Sequence, residues 1–532
     1  MTFIPNVLTK NDDQNSTSTT GTSFTGTGFN TTGFNTILIT LESTVDSDIA
    51  GLEIQFSSDN STWTTYYSDS YLNGTQFIKS YKIIDEYYRI NYSTPTSTFS
   101  IISRLSTQFD GSSSSSANDE YNSIENGSLD AFGKLRVTNP NTLLDIKFPS
   151  QSTGDDDFLS NNYLTTTKES GTGTFIITNG ESKKIMSITG DGTTNNYISQ
   201  SRKYCTYQPG KSQLILLSGI IQDSSATSTN YQNSIGYFDD SNGLFFHYNA
   251  NGSQGMSINL RNESSDTQYL QANWNIDKMD GTGNSGFNLN FTKSQLYVID
   301  FEWLSVGRIR FGFYILGKIY YCHQITNINV LDSPYMLTPN LSIRYEINVE
   351  DSNSAQLTQI CSSVISEGGY NPIGKAFSVS NGITLVEVSS TETPLVAIRG
   401  SDTTNVYHHE NIIPTGVSVL VDTNSVVVFR LRLYLAPNSP SVTSWTLANE
   451  QNSVVQFANS GITLGSDNSI IVQEDYLSDK SSVVLTLENV FNNLTQITSN
   501  IDNVSDVLVL TAQKVGPSTV NVYGAITWQE IY

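Results

Sequence analysis

The feature that most constrains the fold is a succession of short stretches in which apolar and polar residues alternate. Examples are "TILITLES" (36–43), "VSVLVDTNSVVVFRLRLYLA" (417–436) and "DVLVLTAQKV" (506–515). A period of two is typical of strands that bury one face, and the intervening Asn, Asp, Gly and Ser residues favour turns. The pattern predicts an all-β chain.

The composition agrees with this prediction. Charged residues make up 14% of the chain, against about a quarter in an ordinary soluble protein. The 28 Tyr and 24 Phe favour strands, and strong helix formers are scarce. Segment 492–504 is an exception, because its apolar residues recur at the spacing of one or two helical turns.

The chain of 532 residues is too long for one hydrophobic core, so we expect about three or four domains. Several β-sandwich or jelly-roll-like domains in tandem, preceded by a flexible arm, fit the pattern. Texture changes along the sequence predict the following boundaries: a flexible N-terminal arm (1–30), a small β-sandwich (31–107), a Ser-rich linker (108–128), a central jelly-roll-like β-sandwich (129–370) and a C-terminal β-sandwich (371–532).

The charge balance argues against two classes of partner. The net charge is −23, from 27 basic and 50 acidic residues, without a Lys/Arg stripe. Phosphate backbones and anionic membrane surfaces would be repelled, so we expect neither nucleic acid nor membrane as a partner. We also find no secretory signal and no apolar run long enough to span a bilayer.

The cysteines do not form a disulfide framework. Cys205, Cys322 and Cys361 are odd in number and far apart, which favours a reducing compartment. Cys322 lies in a predicted strand and is most simply a small buried apolar residue.

Two glycine-rich motifs resemble nucleotide-binding motifs in sequence but lack the flanking elements that such sites require. "YQPGKS" (207–212) lacks the first glycine of a P-loop, which is Cys205 here, and it precedes a strand-like run. "GTGNSG" (281–286) has neither the preceding buried strand nor the following helix of a dinucleotide fingerprint. Both are interpreted as turns or loops, and no cofactor is expected.

Metal and nucleophile motifs are also missing from the sequence. His247, His323, His408 and His409 show no H-x-x-x-H spacing, and no C-x-x-C occurs. "GDDDF" (154–158) is interpreted as a solvated loop, with a calcium loop as the alternative. We therefore assign no catalytic, cofactor-binding or metal residues.

One strand raises the question of catalysis. Asp300 and Glu302 share a strand face about 7 Å apart, which roughly suits the wider carboxylate pairing of inverting glycosidases. "IDFEW" (299–303) also resembles the acidic strand of laminarinase-type glucanases. That motif carries a further carboxylate two residues earlier, where this chain has Val298, so one catalytic role is unfilled.

A structural interpretation of the same strand is favoured. A three-residue loop at 304–306 would place Glu302 opposite Arg308 and Asp300 opposite Arg310 as cross-strand ion pairs. An even-numbered loop would separate these charges.

The apolar residues complete this meander. Phe301 and Trp303 would pack on the opposite face of the strand from the charges. "RIRFGFYI", "LG" and "KIYYCHQI" then form a hairpin in which Gly317 supplies the positive φ of a tight turn.

The central region resembles a family of virion structural proteins of tailed phages and large DNA viruses, over about 129–370. The segments that carry the resemblance are "DAFGKLRVTNPNT" (130–142), "YQPGKS" (207–212), "IGYFDDSNGLFFHY" (235–248), "WNIDKMDGTGNSG" (274–286), "IDFEWLSVGRIRFGFYILGKIYYCHQI" (299–325) and "YMLTPNLSIRYEI" (335–347). Ser305 stands where the family has glycine. The resemblance implies a particle component without known activity.

We therefore expect a non-enzymatic virion structural protein, located in the capsid, vertex, fibre or tail of a particle assembled in the host cytoplasm. Its expected partners are other virion proteins and further copies of itself. The alternative is a host-surface glycan-binding module, in which Trp63, Trp303 or Tyr320 would stack on sugars, although core packing is the simpler role for each. A polysaccharide-cleaving enzyme is the third and least favoured hypothesis.

Overall fold

The computed structural model shows a chain built of β-strands joined by turns. It describes residues 9–11, 16–31, 34, 36–75, 77–106, 140–148, 164–252, 254–371, 373–383, 386–401, 411–465, 469–478, 481–487 and 496–531. Within these ranges a 3-10 turn occurs at Gln271–Asn273. Among these residues no helix is long and apolar enough to cross a bilayer. The prediction of an all-β fold made of β-sandwiches is confirmed.

The chain divides into two compact units, 1–129 and 130–532. The first unit contains β1 (Thr9–Asn11), β2 (Ser16–Thr25), β3 (Phe29–Asn30), β4 (Thr36–Ser43), β5 (Leu52–Ser57), β6 (Thr64–Asp69), β7 (Phe77–Lys82) and β8 (Tyr87–Ser106). The strand order is β6-β5-β8-β4-β7, and β1, β2 and β3 also pair with β8. The long strand β8 therefore organises this unit.

Strand β8 changes the face that it buries halfway along its length. Tyr88 and Tyr92 are buried at even positions, whereas Phe99 and Ile101 are buried at odd positions in the same core. Pro95 lies between the two halves and has no N–H to donate to a neighbouring strand. The break in the ladder at this point lets both halves of β8 line one core.

The predicted flexible arm over 1–30 is wrong for its second half. Ser16–Thr25 is a strand that pairs with β8, and Phe29–Asn30 pairs with it as well. The sequence did not indicate this because the segment is rich in Ser and Thr and lacks regular alternation, although Phe24 and Phe29 pack against the core of this unit. The Ser-rich linker predicted at 108–128 lies outside the described residues.

The second unit begins with a two-sheet sandwich. Its strands are β9 (Asn141–Lys147), β10 (Thr165–Ser170), β11 (Thr174–Gly180), β12 (Lys183–Thr189), β13 (Asn195–Ser201), β14 (Gln213–Ile220), β15 (Tyr231–Phe238), β16 (Gly243–Asn249), β17 (Gly255–Asn262), β18 (Ser265–Leu270), β19 (Gln295–Phe301), β20 (Ile309–Ile315), β21 (Lys318–Ile325), β22 (Ile343–Val349) and β23 (Ser354–Ser366). A seven-stranded sheet has the order β10-β13-β22-β15-β16-β17-β18. An eight-stranded sheet has the order β11-β12-β23-β14-β19-β20-β21, with β9 on β23. The inner faces of both sheets enclose one apolar core.

A second sandwich follows in the same unit. Its strands are β24 (Gly374–Ser380), β25 (Val386–Val388), β26 (Thr393–Gly400), β27 (Asn411–Val421), β28 (Val427–Tyr434), β29 (Ser441–Val442), β30 (Thr446–Leu447), β31 (Val455–Ala458), β32 (Ile462–Thr463), β33 (Ser469–Leu477), β34 (Ser482–Thr486), β35 (Val507–Lys514) and β36 (Val520–Ile531). One sheet runs β24-β36-β27-β34 with β25 on β36, another runs β30-β31-β26-β35-β28-β33, and β29 pairs with β32. Trp528 is fully buried in the core of this sandwich.

The helical turns considered for 492–504 are not found in the described part, 496–504. Ile497 forms an isolated bridge to Ile412, and the N–H of Asn500 donates to the carbonyl of Val504 in a tight turn. Pairing with a neighbouring strand overrides the weak helical spacing here.

A buried ion pair joins the two sandwiches of the second unit. An Nη1 of Arg202 lies 2.9 Å from Oδ1 of Asp506, and these side chains are 5% and 0% exposed. Arg202 also donates to the carbonyl of Ala436 at 2.6 Å. This buried pair is one of the polar contacts between the two sandwiches, beside the hydrogen bond that Asn411 donates to Thr206.

Candidate functional site: a polar groove on the seven-stranded sheet

The strand that carries Asp300 is β19, in the eight-stranded sheet, and Glu302 follows directly after it. Asp300 pairs in register with Arg310, and Oδ2 lies 2.6 Å from an Nη2 of that arginine. The hydroxyl of Tyr321 donates to the same oxygen at 2.5 Å. The predicted ion pair of Asp300 with Arg310 is confirmed.

The loop after β19 also has the predicted geometry. The N–H of Glu302 donates to the carbonyl of Arg308 at 3.3 Å, which places these two residues opposite each other. Phe301 is fully buried, and Trp303 packs against the same core. The predicted separation of charged and aromatic faces is confirmed.

Asp300 is sealed from solvent. Its side chain is 0% exposed, and its Oδ1 is buried without a hydrogen-bond partner. Burial raises the pKa of this carboxyl to about 7, outweighing the opposite effect of Arg310. The group has no exposed surface with which to contact a polysaccharide, so the strand gives the glycosidase hypothesis no support.

The glycine-rich motifs lie in turns, as predicted. In 207–212 the N–H of Lys211 donates to the carbonyl of Gln208, and β14 follows. In 281–286 the N–H of Gly286 donates to the carbonyl of Gly283. Neither motif precedes a helix in the structure.

Cysteine and metal-ligating residues are scattered. Cys205 and Cys322 are buried and Cys361 is exposed, and all three are free thiols. Cys322 is buried in β21 as predicted. His408, His409 and the 154–158 loop lie outside the described residues, and among the residues that are described no His, Cys, Asp and Glu group of three or more is arranged to hold a metal ion.

The aromatic residues considered for sugar stacking each contact other side chains of their own unit. The guanidinium of Arg89 lies 4.5 Å from the ring of Trp63. Trp303 lies edge-on to Tyr207, and Tyr320 lies edge-on to a phenylalanine of the same sandwich. Trp303 and Tyr320 both pack against the central core, so core packing is their observed role.

A groove that the sequence did not indicate lies on the outer face of the seven-stranded sheet. Its volume is about 340 Å³. Its lining follows from the alternation of side chains along each strand. In β15, Tyr231 and Ile235 point into the core, whereas Gln232 and Ser234 point outward. Outward residues of five neighbouring strands, β22, β15, β16, β17 and β18, line the groove. Strand register places most of them in three rows across the sheet, and Asn196, Ser257 and Gly236 continue these rows beyond the lining residues.

The first row consists of four amide side chains on four adjacent strands, which we call the amide row. Strand register places Asn196 (β13) beside Asn348 (β22), then Gln232 (β15), then Asn249 (β16). The Oδ1 of Asn348 is buried without a protein partner. The amide row therefore offers an acceptor oxygen that a ligand hydroxyl could satisfy.

The second row contains Glu346, Ser234, His247 and Ser257, again on adjacent strands. The Oγ of Ser234 lies 3.0 Å from Nδ1 of His247. Burial lowers the pKa of His247 to about 4, so the imidazole is neutral near pH 7. This row adds groups that can both donate and accept hydrogen bonds.

The third row has an aromatic floor. Gly236 pairs with Phe245, which pairs with Asn259 and then Gln268. A Cβ at Gly236 would lie 2.3 Å from Cβ of Phe245. Glycine is required here because the phenylalanine lies against the backbone of the next strand.

The charged groups of the groove are paired with one another. Arg261 donates two hydrogen bonds of 2.7 and 3.0 Å to the carboxylate of Asp266. Its guanidinium carbon lies 5.0 Å from the ring centroid of Phe245. Beside the groove, Arg344 lies 2.6 Å from Asp240 and 3.4 Å from Glu346. Both arginines are paired with carboxylates, which makes the groove a hydrogen-bonding surface rather than a binding site for anions.

Comparisons with known proteins give three results. Residues 2–101 match the family described as "Uncharacterised protein YqxG N-terminal domain", which covers a minor part of the chain. No curated protein sequence matches the chain. Solved structures give similarities of low score.

Two of these solved structures illustrate the range. The endo-1,3-beta-glucanase from Streptomyces sioyaensis has 10% identity and a TM-score of 0.25, over 36% of this chain and 78% of the glucanase. The Lectin I from Ulex europaeus, solved with the methyl glycoside of alpha-L-fucose, has 11% identity and a TM-score of 0.26, over 43% of this chain and 98% of the lectin. Scores this low do not establish a shared fold, so the role of the groove depends on its own residues.

Proposed function

We propose that this chain is a non-enzymatic glycan-binding protein and that the groove on the seven-stranded sheet is its binding site. The observation that carries the proposal is the amide row. Amide side chains donate and accept hydrogen bonds at once, as sugar hydroxyls do. The volume of about 340 Å³ lies within the range of small-ligand sites.

The electrostatics of the groove favour this ligand class over phosphate-bearing ones. A phosphate group is normally held by arginine or lysine side chains that are available to it. Arg261 and Arg344 are instead engaged by Asp266 and Asp240. A nucleotide or nucleic acid would have to displace these carboxylates.

The non-enzymatic part of the proposal is supported by the position of the carboxylates. Asp300 is sealed between strands of the opposite sheet. In the groove, Asp266 is held by Arg261, and Glu346 accepts a hydrogen bond from Asn196 at 2.7 Å. None of these arrangements leaves a free acid and base facing each other across the groove.

The virion assignment expected from the sequence resemblance over 129–370 remains part of the proposal. In that setting the chain is a host-surface glycan-binding component of a particle, with other virion proteins and further copies of itself as partners. Several copies would raise the avidity of individually weak sugar contacts. Mass spectrometry of purified particles should find the chain at many copies, and finding it only in lysate would overturn this setting.

The binding site is tested with a glycan array probed by the full chain. We expect retention of some glycans, and a loss of roughly fivefold in affinity for Gln232→Ala or Asn348→Ala, as for one hydrogen bond each. Gln324→Ala, an amide on the eight-stranded sheet of the same sandwich, is the matched control. Failure to retain any glycan, or equal losses in all three variants, would overturn the proposal.

A further inference from the structure

We infer that the ligand of the groove is an uncharged oligosaccharide of more than one sugar unit, lying across the strands along the amide row. This inference rests on the proposed glycan-binding function and adds the charge and the direction of the ligand. It follows from two independent properties of the groove, the length of the row and the pairing of the charges.

The length of the amide row sets the size of the ligand. Its members occupy β13, β22, β15 and β16, which are hydrogen-bonded neighbours. Neighbouring strands lie about 4.8 Å apart, so four positions span about 14 Å. This distance exceeds a single pyranose ring, so one sugar unit cannot contact both Asn196 and Asn249.

The direction follows from the chemistry of the rows. Across the strands, a ligand meets only amides in the first row. Along the strands it would pass from Gln232 to Ser234 and then to Gly236, which has no side chain to offer. The repeated hydroxyls of an oligosaccharide find a repeated partner only in the direction that crosses the strands.

The charges of the groove set the charge of the ligand. Glu346 lies in the row beside the amide row and is partly exposed, at 24%. His247 is neutral near pH 7 because burial lowers its pKa to about 4. A uronic or sialic acid carboxylate would face Glu346 and would need Arg261 or Arg344 to leave its own carboxylate. Both effects disfavour acidic sugars.

The experiment uses the full chain on an array of neutral oligosaccharides of increasing length, beside oligogalacturonates and sialylated oligosaccharides of the same lengths. We expect neutral glycans to be retained, with affinity rising as the oligosaccharide lengthens from one unit. Preference for acidic glycans, or a monosaccharide bound as tightly as its oligomers, would overturn this inference while leaving glycan binding intact. Retention of no sugar at all would overturn the proposed function itself.

Two variants sharpen the result. Asn196→Ala shortens the amide row by its outermost member, so the affinity gained by lengthening the sugar should fall roughly fivefold. Glu346→Gln should raise the retention of acidic glycans relative to neutral ones. Gln324→Ala should change neither property, and thermal melts of all variants confirm folding. An unaltered length dependence in Asn196→Ala would contradict the proposed direction.

Discussion

At the scale of single residues, Asp300 shows how burial changes the behaviour of an ordinary carboxyl. The side chain is excluded from water, one oxygen is shared by Arg310 and Tyr321, and the other oxygen has no partner. The guanidinium of Arg310 also stacks on Tyr321, at 4.1 Å from the ring centroid. These three side chains form a closed polar cluster on the eight-stranded sheet.

Removing the arginine should be strongly destabilising. Arg310→Met leaves a buried carboxyl without its counter-charge, and we expect the free energy of unfolding to fall by about 3–5 kcal/mol. Urea denaturation measures this loss. Lys183→Met, which breaks an exposed pair with Glu181, should cost less than about 1 kcal/mol and serves as control. Similar losses in both variants would contradict the importance of burial.

The pH dependence of stability should carry the signature of Asp300. Its pKa in the folded chain is about 7, above the ordinary value of 3.8, so the folded state holds the proton more tightly than the unfolded state. The resulting contribution to stability is fully present below about pH 4 and is lost as the pH rises through about 7.

Asp300→Asn tests this dependence, because an amide does not titrate and can still accept a hydrogen bond from Tyr321. The stability of the unsubstituted chain relative to the variant should decrease between about pH 4 and pH 8. Urea midpoints of both proteins across this range give the comparison. A difference that stays constant, or grows with pH, would show that the folded carboxyl does not have a raised pKa.

At the scale of elements, the hairpin of β20 and β21 follows from its turn. Ile315 pairs with Lys318, so the loop has two residues, and Leu316 and Gly317 have φ of 49° and 85°. Two successive positive φ angles define the turn that matches the twist of a hairpin. Glycine is suited to this conformation and leucine is not.

Substitutions in this turn should have opposite effects. Gly317→Ala forces a Cβ into a left-handed conformation and should lower stability by about 1 kcal/mol. Leu316→Asn should raise it by a few tenths of a kcal/mol or more, because asparagine tolerates this conformation. Leu316→Ala is the control for the loss of an exposed side chain. Thermal melts of the three variants check the predicted order of stability, in which Leu316→Asn is the most stable and Gly317→Ala the least stable. A stabilising effect of Gly317→Ala would contradict the prediction.

The same scale shows how far the sequence predicts the fold. The odd length of the loop in "IDFEWLSVGRIRFG" (299–312) was sufficient to predict the partners of Asp300 and Glu302, because the register of a hairpin depends on the length of its loop. Strand β2 was missed, since its Ser/Thr-rich sequence carries no alternation and depends on the edge of β8. The groove was missed for a related reason, because its rows join residues from strands distant in sequence.

At the scale of the whole molecule, a buried joint around Asp506 contributes to the contact between the two sandwiches of the second unit. Asp506 accepts hydrogen bonds from Arg202, from the N–H of Ala436 at 2.9 Å and from the hydroxyl of Thr498 at 2.6 Å. Burial raises the pKa of Asp506, and the partners of its ionised form oppose this effect. A nearby pair, Lys168 with Asp502, is exposed by comparison.

Breaking the joint should separate the unfolding of the two sandwiches. Arg202→Met leaves Asp506 buried without its counter-charge, so we expect calorimetry to show two transitions for the second unit of this variant and one for the unsubstituted second unit. Lys168→Met removes the exposed pair, whose side chains are 44% and 55% exposed. This variant should keep the single transition and should change the free energy of unfolding by less than about 1 kcal/mol. A single transition in Arg202→Met would show that the other contacts between the sandwiches, such as the hydrogen bond from Asn411 to Thr206, are sufficient to hold them together.

The sequence by itself determined the all-β class, the turns at the glycine-rich motifs and the local meander of 297–325, because alternation and turn chemistry act between near neighbours. The tertiary structure decided the attachment of β2, the buried joint at Arg202 and the amide row. Each of these depends on which strands become neighbours in a sheet, and that choice is made by packing of the whole core. The candidate binding site belongs to this second group, since its four amides come from strands as far apart as β13 and β22.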